Sequence, residues 1–139
     1  MQQTLAHTLI CEESDTTKGG HTIHSRKKDP ESLLPLTPAV FHILLALSDG
    51  ERHGYGIMQE IAERTKGTVH MGPGTLYGSL KRMLSSGLIE ETGEKADPQH
   101  GNERRRYYRL TGFGQRVLHA EAERLAQLVS IAQLKHVLG

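Results

Sequence analysis

GPGTLYGSLKRMLSSGLIEE, residues 72–91, holds the helix whose reading decides the fold. Pro73 suits a first helical position, where its missing N–H costs nothing. Leu76, Leu80, Met83 and Leu84 then recur at helical spacing and line one face. Gly87 followed at once by apolar Leu88 is the pattern of a glycine C-cap with its hydrophobic contact. The opposite face is predicted to carry Gly74, Thr75, Gly78, Ser79, Lys81 and Arg82, with small groups near the helix start and cations further along. Small residues let a helix N-terminus, with its free amides and positive dipole end, come close to a phosphate. Thr75, Tyr77 and Ser79 offer hydroxyls to phosphates or base edges. No acidic residue lies between Gly72 and Ser86, in a chain with 17 Lys+Arg against 16 Asp+Glu. A polar stripe alone also fits an ordinary solvated face; the missing acids tilt the reading towards nucleic acid.

Two helices are predicted upstream. Thr37 and Pro38 open the first with a capping hydroxyl and an N1 proline, Val40, Phe41, Leu44, Leu45 and Leu47 fall at helical spacing, and Asp49–Gly50 ends it. The second runs from about Tyr55 to Thr65, with Ile57, Met58, Ile61 and Ala62 as its apolar face and Gly67 as its stop. Thr68 to Met71 reads as a short β-prone segment. Downstream, Leu88–Thr92 and Arg104–Leu110 are strand candidates flanking a polar loop, Gly93–Glu103. Period two sets Tyr108 and Leu110 on one face of the second strand, with Arg105, Tyr107 and Arg109 on the other. Thr111 caps a last long helix reaching to about Val137. The fold class is therefore mainly α with a small β-hairpin: a winged helix-turn-helix followed by a long C-terminal helix. In such a fold the third helix enters the major groove and the hairpin touches the flanking backbone or minor groove.

The hairpin carries Arg104, Arg105 and Arg106, with Arg109 and two tyrosines interleaved, and residues 95–109 hold five bases and two acids, a local +3. Guanidinium groups bind phosphates bidentately and favour narrow minor grooves. The plainer reading is an edge-strand charge cluster that blocks sheet-to-sheet pairing. Net charge over the whole chain is only +1, so any attraction to an anion depends on these local fields.

Three segments, LTPAVFHILLALSDGERHGYGIMQEI (36–61), GPGTLYGSLKRMLSSGLIEE (72–91) and ERRRYYRLTGFGQRVL (103–118), together and in this order, resemble the PadR family of transcriptional regulators, in its short form with a single C-terminal helix. The resemblance implies a homodimeric winged helix acting as a repressor. It implies that Thr75, Tyr77, Lys81 and Arg82 face DNA and that the last helix supplies much of the dimer contact. Gly78 stands where the family commonly has proline.

The last helix points to a second chain on its own account. Leu118, Ala122, Leu125, Val129 and Ala132 form one apolar stripe, and Leu128, Ile131, Leu134 and Leu138 form another. A helix apolar on two sides needs two neighbours, and a twofold pair is the commonest closed arrangement. Leu118, Leu125, Leu128 and Ile131 are the expected dimer residues. The alternative is a helix packed twice against its own domain.

The 139-residue length fits one domain. Residues 1–35 hold 9 apolar residues and none of the six aromatics, and read as a flexible N-terminal tail; 36–110 form the winged helix and 111–139 the dimerisation helix. A single cysteine, Cys11, excludes a disulfide framework and fits a reducing compartment. The longest apolar run, Ile43–Leu47, is too short to cross a bilayer, so the expected location is the cytoplasm. His7, Cys11, His21 and His24 match no compact ligand spacing, and His53 belongs to the HGY turn, so no metal or cofactor is expected. No catalytic set or P-loop is present, since GPGTLYG lacks the Lys-Ser/Thr ending, and an enzyme is not expected. The expected partners are a pseudo-palindromic operator in double-stranded DNA, a second copy of the chain and a small apolar effector; the alternative is a winged helix that binds only proteins.

Overall fold

The structure, a computed structural model, describes residues 29–139. Its helices are α1 (Pro38–Leu47), α2 (Gly54–Arg64), α3 (Pro73–Ser85) and α4 (Gly112–Leu134), and its strands are β1 (Arg52–His53), β2 (Ile89–Asp97) and β3 (Glu103–Leu110). The strands form one antiparallel sheet in the order β1-β3-β2. This is a winged helix-turn-helix with a long helix appended.

The helix starts match the sequence closely. The Thr37 hydroxyl accepts the Val40 amide at 3.2 Å, and the Thr111 hydroxyl accepts the Gly114 amide at 2.9 Å. α2 uses an imidazole instead: Nδ1 of His53 accepts the Gly56 amide at 2.9 Å. Ile43, Leu44 and Leu47 of α1, Ile57 and Ile61 of α2, Leu76, Leu80 and Met83 of α3, and Val117 of α4 form a single core with Leu88, Ile89 and Tyr108. At roughly 1.5–3 kcal/mol per fully buried large apolar side chain, this cluster is the main favourable term in folding.

α3 ends in a Schellman turn. Gly87 adopts φ +79°, its amide reaches Leu84 O at 3.2 Å, and the Leu88 amide reaches Met83 O at 3.0 Å. Leu88 is thereby driven into the core. Its carbonyl lies against α4, where a Cβ on Gly114 would sit 2.0 Å from it.

Four expectations change. The short third strand is Arg52–His53, paired with Tyr108 and Tyr107, while Thr68–Met71 forms none. There the Thr65 hydroxyl accepts the Val69 amide at 3.1 Å and the Thr68 hydroxyl donates to Thr65 O at 2.8 Å, so side chains take backbone groups a strand would need. The loop expected at 93–103 shrinks to a turn around Pro98–His100, because β2 continues to Asp97 past a bulge between Glu91 and Gly93. The boundary expected at residue 35 falls inside described structure: Pro30–Leu33 forms a 3-10 turn, and Leu33 and Leu34 pack on the core. Residues 1–28, with His7, Cys11, His21, His24 and most of the expected tail, lie outside the described residues.

The fourth change concerns α4. Its side against the domain is Gly114, Val117 and Glu121, with Leu118 partly buried beside them, and not the stripe through Ala122 and Val129. Glu121 is 2 % exposed and accepts Arg124 Nε at 2.6 Å and the Leu36 amide at 3.0 Å. The hydrogen bond from Arg124 holds its carboxyl below the usual glutamate range, against the opposing effect of burial. Every residue from 126 to 139 except Ala132 is exposed.

Replacing Gly114 with Ala should cost about 2–3 kcal/mol or more, because the new methyl would run into the Leu88 backbone, which cannot swing aside as a side chain could. Gly112→Ala, whose Cβ would meet only the far end of Arg116 at 3.7 Å, should stay within about 0.5 kcal/mol of wild type. Thermal unfolding of the two variants makes the comparison.

Candidate nucleic-acid interface

Burying Leu76, Leu80 and Met83 turns the other side of α3 outwards. Gly74, Thr75, Tyr77, Lys81 and Arg82 are exposed there, and Gly78 is half-buried. Ser79 is not on that face. It is fully buried, three residues from Leu76 and four from Met83, and its hydroxyl accepts Arg82 Nη2 at 3.3 Å. The expectation that Ser79 faces solvent is corrected: it shares the core stripe, where its small side chain fits and its hydroxyl is satisfied by Arg82.

Tyr77 is half exposed, yet its ring rests on the start of α2. A Cβ on Gly54 would lie 2.4 Å from the Tyr77 hydroxyl oxygen, so only glycine at 54 permits this seat. The HGY segment and the GTLY segment thus meet, a contact the sequence did not disclose.

The hairpin is electrically different from its expected form. Register places Glu90 opposite Arg109 and Glu94 opposite Arg106. Arg109 Nε lies 2.7 Å from Glu90, and Arg106 lies 3.6 Å from Glu91 and 3.7 Å from Glu94. Arg104 donates to Glu94 O at 3.0 Å. Over residues 89–110 the five bases (Lys95, Arg104, Arg105, Arg106, Arg109) meet five acids (Glu90, Glu91, Glu94, Asp97, Glu103), for a net charge of zero. The +3 counted over 95–109 stopped short of the acids that pairing brings opposite. Arg104 and Arg106 keep their side chains more than half exposed.

Arg105 is placed elsewhere. Its side chain is only 25 % exposed, and its Nε lies 3.0 Å from Asp97 Oδ2, outside hydrogen-bonding geometry, so the contact is ionic. Its guanidinium carbon also stands 5.4 Å from the centre of the Tyr55 ring. The expectation that Arg105 is a free cation of the wing is therefore corrected.

Asp97 is the centre of a cluster. It is 3 % exposed, and its Oδ2 lies 3.0 Å from His53 Nε2 and 2.6 Å from His100 Nδ1, while Oδ1 accepts the Gln99 amide at 3.1 Å. Burial pushes its carboxyl up, but the His100 hydrogen bond, the Gln99 amide and the two imidazoles outweigh that and hold it below the usual aspartate range. Burial pulls His53 below the ordinary imidazole value, helped by Arg105 and His100 and opposed by Asp97. His53, Asp97 and His100 form the one group of metal-ligating type among the described residues. Its hydrogen bonding disfavours a metal. An amide N–H can only donate, so His53 Nδ1 must accept from Gly56, which leaves the proton on Nε2, the atom that faces Asp97. DPQH, residues 97–100, was legible as an Asp-capped turn, but nothing in the sequence showed that His53 closes on it.

A winged helix-turn-helix with an acid-free α3 face defines the class of protein. Residues 43–120, more than half of the chain, match the Transcriptional regulator PadR-like family, and the chain belongs to that family. It is 32 % identical over 98 residues to the transcriptional regulator Rv3488 of Mycobacterium tuberculosis (strain ATCC 25618 / H37Rv), covering 70 % of this chain and 80 % of that one. It is 38 % identical over 86 residues, 62 % of this chain, to an uncharacterized 37.1 kDa protein in a transposon, TN4556, of Streptomyces fradiae, of which the match spans only 22 %. Its fold is similar to the crystal structure of a PadR family transcription regulator from Clostridium difficile R20291, with a TM-score of 0.60 and 27 % identity over 74 % of this chain and 100 % of that one.

Because Arg105 compensates a buried carboxylate, Arg105→Gln should lower the melting temperature by roughly 4 °C or more. Arg104→Gln, at an exposed position, should move it by less than about 2 °C. Differential scanning calorimetry of both variants near neutral pH tests the assignment.

Proposed function

We propose that the protein is a cytoplasmic homodimeric repressor that occupies a pseudo-palindromic operator in double-stranded DNA and is released by a small apolar effector. The observation that carries this reading is α3: one face is locked into the core, and the other presents Gly74, Thr75, Tyr77, Lys81 and Arg82 with no acidic residue from Gly72 to Ser86. Family membership supports regulation of transcription as the role. Among the described residues no helix is long and apolar enough to cross a membrane.

In this reading α3 enters the major groove, and Arg104 and Arg106 reach the flanking phosphates by exchanging their glutamate partners for phosphate oxygens. Thr75 and Tyr77 serve as hydroxyl donors. Ser79 and Arg105, buried and engaged, support the interface from behind. Leu128 and Ile131, each half exposed, form the dimer surface with Leu134 beyond and half-buried Leu125 at its edge; Leu118 packs on its own domain and is left out of it. A cleft of about 310 Å³ between α1 and α2, whose apolar lining is Leu45, Ala46 and Ile61 beside the polar His42, Ser48, Asp49, Glu60 and Arg64, supports an effector with an apolar body. The neutral hairpin favours a second reading, a winged helix that docks only on proteins.

Selection of DNA from a random pool by the purified protein, with salt titration of the product, separates the two readings. If Lys81, Arg82, Arg104 and Arg106 of both protomers neutralise about eight phosphates, log K should fall against log salt with a slope near −7, at roughly −0.9 per phosphate. A slope shallower than about −2, or no enriched sequence, sinks the operator reading. Leu128→Glu combined with Ile131→Glu tests the dimer without touching the core. Sedimentation should show monomers of unchanged stability, and operator affinity should drop by about two to four orders of magnitude as linkage between half-sites is lost.

A further inference from the structure

The cluster around Asp97 joins the two halves of the winged helix. Asp97 ends β2, His100 lies in the hairpin turn and Arg105 lies on β3, whereas His53 is at once the partner of Tyr107 in the sheet and the N-cap of α2. One ring therefore holds the helix-turn-helix with Nδ1 and the hairpin with Nε2. We infer that His53, Asp97, His100 and Arg105 form a proton-gated joint: with His53 neutral the hairpin is held against the helix-turn-helix, and protonation of His53 breaks its cap on α2, loosens the hairpin from the helix-turn-helix and weakens DNA binding.

Valence decides what a proton does here. Both nitrogens of neutral His53 are used, Nδ1 as acceptor and Nε2–H as donor. The added proton can go only to Nδ1, where it meets the Gly56 N–H donor to donor. The cap of α2 is lost, and a positive charge is set at the positive end of the helix dipole. Each element packed on the ring contributes. Asp97 of β2 attracts the imidazolium; Arg105 of β3 and His100 of the turn disfavour it; Tyr107 of β3 lies edge-on at 5.2 Å and Tyr55 of α2 stacks at 6.4 Å between ring centres. The carboxylates of the adjoining cleft are already engaged, Glu51 with Lys95 and Glu60 with Arg52 and Arg64, and Glu63 stands on its rim. Burial, with Arg105 and His100 on the same side, outweighs Asp97, so His53 takes up its proton below the ordinary value of about 6.5. The unfolded chain binds this proton more readily, so the contribution of the joint is complete above about pH 6.5 and is lost as pH falls from there through the lowered value.

His53 acts through the hairpin and is a positioning residue, so the test needs readouts that simple destabilisation would not move. Nitrogen-15 spectra of the histidine rings of the full chain should show His53 as the Nε2–H tautomer at pH 7.5. On acidification the Gly56 amide resonance should shift with the same midpoint as His53. A spin-label distance between cysteines placed at Gln59 and Asn102, in a Cys11→Ser background, should lengthen and broaden over that range. His53→Asn keeps a capping oxygen but cannot titrate, and both changes should vanish in it; His119→Asn, at an exposed site on α4, should retain them. A Gly56 amide or a distance that does not track His53 overturns the joint, as does the same response in His53→Asn. Zinc titration resolving into a site that needs both His53 and His100 at pH 7.5 also overturns it, by showing a metal centre.

The DNA consequence rests on the operator reading. Affinity for the selected operator, normalised for each protein to its value at pH 7.5, should fall at least about tenfold by pH 5.5 in wild type and less than about twofold in His53→Asn, and equal falls would reject the coupling. Should no operator be enriched, the amide and distance measurements still decide the joint by themselves.

Discussion

Burial of one face of α3 is the constraint on which the other elements depend. Leu76, Ser79, Leu80 and Met83 are all at most 2 % exposed, and the three apolar ones lie in the cluster fed by α1 and α2. A helix so seated has no rotational freedom, since a turn of one residue, about 100°, would expose two leucines and bury Lys81 or Arg82. The outward direction of Thr75, Lys81 and Arg82 is therefore set by packing energy and needs no contact of their own. The same face also fixes the path of the chain beyond α3. Gly87 reverses the chain, Leu88 enters the core, and its carbonyl meets Gly114, which leaves α4 a single path past the domain.

The hairpin is anchored by apolar burial only at its base, through Ile89 and Tyr108 with partly buried Leu110. Its outer half is backbone pairing, cross-strand charges and the Asp97 cluster. A carboxylate at 3 % exposure would be expensive to bury alone. Here the cost is offset by two imidazoles, one amide and one guanidinium, and that requirement ties the outer hairpin to α2. The wing is held by polar valence and α3 by hydrophobic packing. Polar valence responds to protons, whereas hydrophobic packing does not.

Local signals were legible and distant pairings were not. The caps at Thr37 and Thr111, the N1 prolines and the Gly87 stop are written in neighbouring residues, and they placed α1, α3 and α4 within a few residues. The extension of β2 through GEKAD carries no alternation of apolar residues, because both of its faces are polar and its stability comes from β3. β1 is two residues long and exists only through Tyr107 and Tyr108. The spacing of Ser79 from Leu76 and Met83 puts it on the buried side although its hydroxyl suits the surface, and in α3 position prevails over residue type. Leu33 and Leu34 sat too close to a polar segment for composition to separate them from it. Family resemblance supplied what periodicity lacked, the meaning of the segments in their order, but it said nothing of the cluster around Asp97.

Pairing across the hairpin changes where attraction to an anion can come from. Charges separated by 2.7–3.9 Å, as in the Arg109, Arg106 and Arg104 pairs with glutamates, cancel at distances beyond a Debye length of about 8 Å at physiological salt. The hairpin thus adds little to long-range steering. Lys81 and Arg82 are exposed and have no acid on their own helix to cancel their charge. In the operator reading a polyanion approaching the molecule meets α3 first. Only at contact can Arg104 and Arg106 exchange carboxylate for phosphate, and that exchange is close to neutral in Coulomb energy because one anion replaces another. In the operator reading the helix is therefore suited to set affinity and register, while the hairpin would discriminate by fit, through the angle at which the Asp97 cluster holds it.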